Sequence, residues 1–181
     1  MGLTSRRIPT PLGDMLALAS SAGLCLLEFT EGTAHLNREL AQVHAARGPA
    51  AGGPSAALDQ LQAELDGYFA GQCQRFEAPL DPVGTPFQLR VWGALRAIPY
   101  GATWSYGQEA RHIGQPAAAR AVAAANGQNK IAIVVPCHRV IGGNGALTGY
   151  GGGLPRKRWL LDLERRHTAP DSASEHFVLK Y

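Results

Sequence analysis

The chain is short of cysteine and of long apolar runs, and each shortage narrows what it can be. Its three cysteines, Cys25, Cys73 and Cys137, are an odd count at wide spacing among 181 residues. That excludes a disulfide framework and matches no zinc pattern. A reducing, cytoplasmic setting is expected, with no metal and no cofactor. No stretch approaches the roughly 18 consecutive apolar residues of a membrane span. The start, Met1-Gly-Leu-Thr-Ser-Arg-Arg7, leads into no uninterrupted apolar region, so no signal peptide is expected. There is no internal repeat and no coiled-coil pattern. Neither glycine cluster, Gly142-Gly-Asn-Gly145 or Gly149-Tyr-Gly-Gly-Gly153, fits a phosphate-binding loop after a strand. An apolar content of 45% is that of a soluble globular chain, and the length suits one large domain or two small ones.

What is present is distributed unevenly. Residues 1–84 carry five Lys/Arg against nine Asp/Glu, a net −4, whereas residues 85–181 carry twelve against five, a net +7. A basic half joined to an acidic half points the basic half toward a polyanion, although surface charge also fluctuates without a partner.

Turn residues and apolar spacing divide the chain further. Met15–Ser20 and Leu24–Phe29 are predicted strands with Ser20-Ser-Ala-Gly23 as their hairpin. Residues 33–47 suit a helix, and Gly48-Pro-Ala-Ala-Gly-Gly-Pro-Ser55 reads as a mobile loop. Leu58, Leu61, Leu65, Tyr68 and Phe69 recur at helical spacing before Gly71. A small α/β domain over 1–80 and a linker at 81–84 follow. Beyond it, Thr85 as N-cap, Pro86 at N1 and Gln88 at N3 open a helix whose apolar face is Phe87, Val91, Trp92, Leu95 and Ile98. A second helix is predicted from Tyr106 to His112. A third, rich in alanine, runs from Pro116 to Ala125 after a turn at Gly114, and a last one covers 155–165. Residues 168–181 form a tail.

The helices flanking Gly114 have the outline of a helix-turn-helix. A reading helix offers Arg, Asn, Gln, Ser or Thr to base edges, but here Arg120 is the only long polar side chain among alanines. Such a face reads sequence poorly. It can lie close in a narrow groove, with one arginine to probe the base stack; it can equally just pack on another helix.

The chemistry gathers at Ile131-Ala-Ile-Val-Val-Pro-Cys-His-Arg-Val140. The apolar run is predicted to be a buried strand delivering Cys137 to a loop, with His138 and Arg139 beside it. A thiol becomes a useful nucleophile when a neighbour takes its proton or favours its charge. The alternative is a cysteine that only packs. Glu164 can orient His138 as the third member of a relay, or it can sit on a solvated helix face beside Arg165 and Arg166.

Pro136-Cys-His-Arg-Val140, Gly149-Tyr150 with Gly152-Gly153, Phe87-Gln88 with Val91-Trp92, and Ile98-Pro-Tyr-Gly101 together resemble the O6-alkylguanine-DNA alkyltransferases. So do Ser105-Tyr106, Ala119-Arg-Ala-Val122 and Asn126-Gly-Gln-Asn129. The likeness is dense over 85–165 and extends to Thr10-Pro-Leu-Gly13 and Tyr68-Phe69-Ala-Gly71. The length and the lack of zinc ligands are similar to the bacterial stand-alone form. The resemblance implies an α+β chain, in which a small ribonuclease-H-like N-terminal domain precedes a mostly helical, winged-helix-like domain at 85–167.

It also implies roles. Cys137 would accept the alkyl group from O6-alkylguanine, and from O4-alkylthymine, in a stoichiometric, irreversible reaction. His138 would activate Cys137 through a water, Glu164 would orient His138, and Asn129 would tie the active-site turn together. Arg120 would fill the gap left by a flipped base. Tyr106, Ser105, Ala119 and Ala121 would face the DNA minor groove with little sequence preference. Tyr106, Val140, Tyr150 and Gly151 would line the base pocket. The partner would be double-stranded DNA carrying alkylated bases, met by a monomer. Two positions depart from the family pattern: Lys130 stands where proline is common, which implies a looser turn with one more cation, and Gly151 stands where serine is common. Three other readings are a non-enzymatic alkyl-base binder, which the presence of Cys137 disfavours, a DNA-binding regulator, which the alanines disfavour, and a Cys-His hydrolase, for which adjacent Cys-His is no signature.

Overall fold

The computed structural model describes residues 2–168. All but Thr168 of the tail anticipated at 168–181 lies outside them. The chain forms two compact units, one of residues to Val83 with Lys130–Ala132, the other of Gly84–Asn129 and the chain from Ile133 on. Among the described residues no helix is long and apolar enough to cross a membrane.

The first unit is built on a four-stranded sheet ordered β3-β2-β1-β4, from β1 (Leu3–Ile8), β2 (Met15–Ala19), β3 (Leu24–Phe29) and β4 (Ala50–Ala51). β1, β2 and β3 are successively antiparallel, and β4 lies parallel to β1. All six residues of β3 are buried, which accounts for its near-continuous apolar run. Helix α1 (Leu36–Arg47) and helix α2 (Ala56–Phe69) complete the unit. Ser55 caps α2 by accepting from the Leu58 amide, and Leu58, Leu61, Leu65 and Tyr68 form its buried stripe. Cys25 lies in the core with Leu3, Leu18, Leu26 and Val43.

One expectation is corrected here, and the predicted linker begins on an anchored residue. The segment 48–55 is not wholly a loop, since Ala50–Ala51 pairs with Leu3–Thr4 and the Leu3 amide donates to Pro49 O at 3.0 Å. Two alanines carry no strand signal, and pairing alone decides their state. Asp81, placed at the head of a linker, is anchored: the Arg47 guanidinium grips it with two bonds of 2.7 Å, and the Ser20 hydroxyl donates to it at 2.6 Å.

The second unit contains α3 (Pro86–Leu95), β5 (Trp104–Ser105), α4 (Tyr106–His112), α5 (Ala119–Asn126), a 3-10 turn (Cys137–Arg139), β6 (Val140–Ile141) and α6 (Leu154–Arg166). Capping boxes start two of its helices. Thr85 and Gln88 exchange bonds at α3, and Ser105 and Gln108 do so at α4. Trp92 Nε1 donates to Ala125 O at 2.8 Å, which ties α3 to α5. Between α4 and α5 the chain turns through Gly114 at φ 74°, a left-handed conformation that suits glycine. A buried bond of 2.7 Å from Asn126 Nδ2 to Glu109 clamps the helix pair, and burial raises the Glu109 carboxyl to about 7. β5 and β6 pair in parallel.

The alanine-rich helix begins at Ala119, not at Pro116; residues 116–118 form a turn, and Ala118 is the N-cap. The predicted strand at Ile131–Val135 is also corrected. All five side chains are buried, but the backbone is a turn with one isolated bridge, Leu27↔Ile131. A short apolar run bounded by turn residues reports burial and not backbone state.

The α3 capping box supplies a direct check. Thr85→Ala should lower the stability of the second unit by about 1 kcal/mol, and Thr85→Ser should restore most of it. Urea unfolding followed by tryptophan fluorescence measures both.

Candidate active site

Cys137 is the first residue of the 3-10 turn and is half-buried. The turn before it is strained: Ile133 has φ 70°, an outlier for a β-branched side chain, with a cost of about 1–3 kcal/mol. Asn129 holds the turn. Its Nδ2 donates to Val135 O at 2.8 Å and to Cys137 Sγ at 3.2 Å. Lys130, expected to loosen this segment, is buried; its carbonyl accepts from Leu27 N at 2.8 Å, and two residues on Ala132 N donates to Leu27 O at 2.9 Å.

Behind the cysteine lies a fully buried polar network. His138 Nε2 sits 2.7 Å from Glu164 Oε1. Arg139 forks onto the same carboxylate, Nε to Oε2 and Nη2 to Oε1, both at 2.9 Å, and its Nη1 donates to Ile98 O at 2.9 Å. The Arg139 guanidinium also lies 5.7 Å from the Tyr100 ring centroid. The Gly101 amide adds a bond of 3.3 Å to Glu164 Oε2. Gly101 has φ 78°, and a Cβ there would strike the Thr168 hydroxyl, so only glycine brings that amide so close.

Burial alone would raise the Glu164 carboxyl, but His138 and the Arg139 fork overcome it and hold the group well below the usual carboxylate range. Burial pushes the His138 imidazole down against the attraction of Glu164, and the nearby Arg139 and Lys157 cations push the same way. The imidazole is therefore neutral. Facing a carboxylate, Nε2 carries the hydrogen and Nδ1 keeps its lone pair. Nδ1 is buried and meets no hydrogen-bond partner among the described residues, which leaves a base beside the cysteine.

A second network holds the neighbouring loop. Lys157, fully buried on α6, donates from Nζ to Val140 O at 2.6 Å and to Thr148 O at 2.8 Å. The Tyr106 hydroxyl donates to the same Thr148 carbonyl at 3.2 Å. Burial pushes the Lys157 ammonium down to about 8, and a negative charge at Cys137 opposes that shift. Ammonium and thiolate thus attract each other.

Cys137, His138, Glu164 and Asn129 are brought together, and Tyr106 and Val140 are joined through Lys157 and Thr148. Tyr150 and Gly151 are half-buried in the loop before α6. Arg120, exposed on the first turn of α5, has Ala119 half-buried and Ala121 exposed beside it. The Ser105 hydroxyl is occupied as the α4 N-cap, accepting from Gln108 N at 3.1 Å. Sequence reasoning assigned no role to Lys157 and none beyond proximity to Arg139. Lys157 lies between Arg156 and Arg158, a pattern that reads as a solvated helix face.

The fold places a half-buried thiol next to a buried histidine–carboxylate pair, in a unit that also carries a helix-turn-helix. The comparisons make this specific. Residues 86–166 match the family model described as 6-O-methylguanine DNA methyltransferase, DNA binding domain, and residues 5–82 match its ribonuclease-like domain. The chain is 49% identical over 166 residues to the methylated-DNA–protein-cysteine methyltransferase of Mycobacterium tuberculosis, covering 92% of this chain and 94% of that one. It is 43% identical over 155 residues to the Methanosarcina acetivorans protein of the same name, covering 86% and 94%. A crystal structure of the Mycobacterium tuberculosis protein in complex with DNA is similar, with TM-score 0.75, 46% identity and coverage of 93% and 96%. The chain belongs to the 6-O-methylguanine DNA methyltransferase family.

Two outcomes test the network. Glu164→Gln leaves Arg139 buried without its counter-charge and should destabilise the second unit by about 3–5 kcal/mol in urea unfolding. Two groups of the network lose their contribution to stability in acid. The unfolded chain takes up a proton at His138 near pH 6.5 while the folded chain resists, so stability is lost as pH falls below that value. The lowered Glu164 carboxyl adds a further loss below the usual carboxylate range. Glu109, held up at about 7, gains stability as pH falls and opposes this loss. The His138 share is therefore read as the difference in urea midpoint between wild type and His138→Asn. The variant should gain on the wild type as pH falls from 7 to 5, and a constant difference would contradict the neutral imidazole.

Proposed function

We propose that the chain repairs DNA by direct reversal, moving the alkyl group of O6-alkylguanine, and of O4-alkylthymine, to its own Cys137. The observation that carries this reading is a half-buried thiol on a strained turn, contacted by Asn129, next to a buried neutral imidazole oriented by Glu164. The Cys137 sulfur attacks the alkyl carbon in line with the bond to guanine O6. The S–C bond forms, the C–O bond breaks, and the electron pair leaves with guanine. The thiol proton passes to His138 Nδ1 by way of one bridging water, and guanine regains a proton, so one hydrogen is exchanged for one alkyl group. A thioether resists hydrolysis, so each molecule acts once.

A base atom inside the stack is out of reach, so the target nucleotide must rotate out. Arg120 lies where a side chain can enter the vacated space, on a helix whose Ala119 and Ala121 allow close approach to the minor groove. Tyr106, Val140, Tyr150 and the Gly151 amide line the base pocket. The Val140 carbonyl keeps one lone pair for the guanine amine while the other holds Lys157. The protein works as a monomer, and the cytoplasm suits a thiol that must stay reduced.

Incubation with methylated duplex DNA, followed by intact mass and peptide mapping, should show one methyl group, on Cys137 alone, per molecule. Tight binding without a mass change would favour a damage-binding protein instead. Arg120→Ala should slow transfer from duplex DNA on the order of 100-fold, the worth of a few kcal/mol of unstacking, and leave transfer from a free alkylated base nearly intact. Equal losses on both would remove the role given to Arg120.

A further inference from the structure

The first unit contains another ionisable cluster, which alkyl transfer does not use. Glu28 is on β3, His35 is the residue before α1, and Glu39 follows His35 by one helical turn. One ligand atom from each lies within 4.8 Å of the others. The His35 Nε2 atom is 3.3 Å from Glu39 Oε1 and 3.9 Å from Glu28 Oε2. Both carboxylates are buried at 2% side-chain exposure, and the imidazole, at 16%, is open to solvent. Glu28 Oε1 accepts from the Phe29 amide at 2.8 Å. Neither Glu39 oxygen accepts a hydrogen bond from any described residue, although the group is almost wholly buried.

A buried carboxylate with unused lone pairs, facing a second carboxylate, is unfavourable unless something positive satisfies it. Lys130 and Arg38 lie within electrostatic reach of Glu39. Their charge disfavours a hard cation held by attraction alone. An ion that also bonds to an imidazole nitrogen suits the donors better.

We propose that Glu28, His35 and Glu39 bind one divalent first-row transition ion of the zinc and cobalt class. One imidazole and two carboxylates form a donor set such ions accept, with a remaining position for water. Binding ties the start of α1 to β3. The site is separate from Cys137 and needs no cysteine. Its role is to stabilise the first unit by mass action.

The test uses the metal-stripped full chain carrying Cys137→Ser, so that the reactive thiol does not compete. Titration with Co2+ should saturate at one equivalent and give a ligand-field absorption without a thiolate charge-transfer band. Zn2+ should displace Co2+, Mg2+ should not, and Tm should rise as the site fills. Glu39→Gln, close in shape, and His35→Ala should each weaken Co2+ binding at least tenfold and abolish the rise in Tm. Circular dichroism without metal shows that the variants fold, and Glu39→Gln in the otherwise native chain should keep alkyl transfer. No saturable binding, a thiolate band, or unchanged affinity in both variants would overturn the proposal.

Discussion

The chemistry of the second unit depends on one buried carboxylate. Glu164 is on α6, yet its oxygens receive His138, both arms of Arg139 and the Gly101 amide. A carboxylate in the interior is tolerable only when its lone pairs are filled and its charge is matched. Arg139 matches the charge, which relieves the imidazole of that duty. His138 then donates Nε2–H and keeps Nδ1 as a base. Had Glu164 met His138 alone, the pair would favour an imidazolium, which has no lone pair with which to accept a proton. Burial first, and the arginine beside the histidine second, thus keep the imidazole neutral.

How far this could be read from sequence varied with the kind of signal. The helix start at Thr85 was legible because a capping box is local, and four residues suffice to specify it. The Leu58–Tyr68 stripe was legible because burial there follows the helical period. Cys137 and His138 stood out because they are adjacent. Lys157 did not, and for Glu164 a solvated helix face stood beside the relay reading, because each lies among charged neighbours, and only the tertiary fold turns these two inward. The run at 131–135 shows a different failure. Its burial was evident, but periodicity cannot separate a buried turn from a buried strand.

On the proposed reading, the helix that begins at Ala119 shows how little a binding face needs. Small side chains let a backbone come close, and a single long side chain at Arg120 supplies reach. With few donors and acceptors for base edges, affinity must come from phosphate contacts and groove shape, which suits a protein that must act at any sequence. The clamp between Glu109 and Asn126 keeps α4 and α5 in register without occupying the exposed face of α5.

The strained turn and its asparagine belong together. Asn129 has two N–H donors on Nδ2; one holds the Val135 carbonyl and the other points at the Cys137 sulfur. The bond that stabilises the backbone therefore also aims the sulfur. Strain of about 1–3 kcal/mol at Ile133 is tolerated because the buried side chains of 131–135 and the Asn129 bonds fix the turn from both sides. On the proposed reaction, alkylation turns a thiolate that accepts strongly and attracts the Lys157 ammonium into a neutral thioether that does neither. The contacts that hold the turn are weakened by the reaction they support. A catalyst would have to restore that geometry on every cycle. A protein spent in one transfer does not, and it can use a site whose order lasts only as long as its sulfur is free.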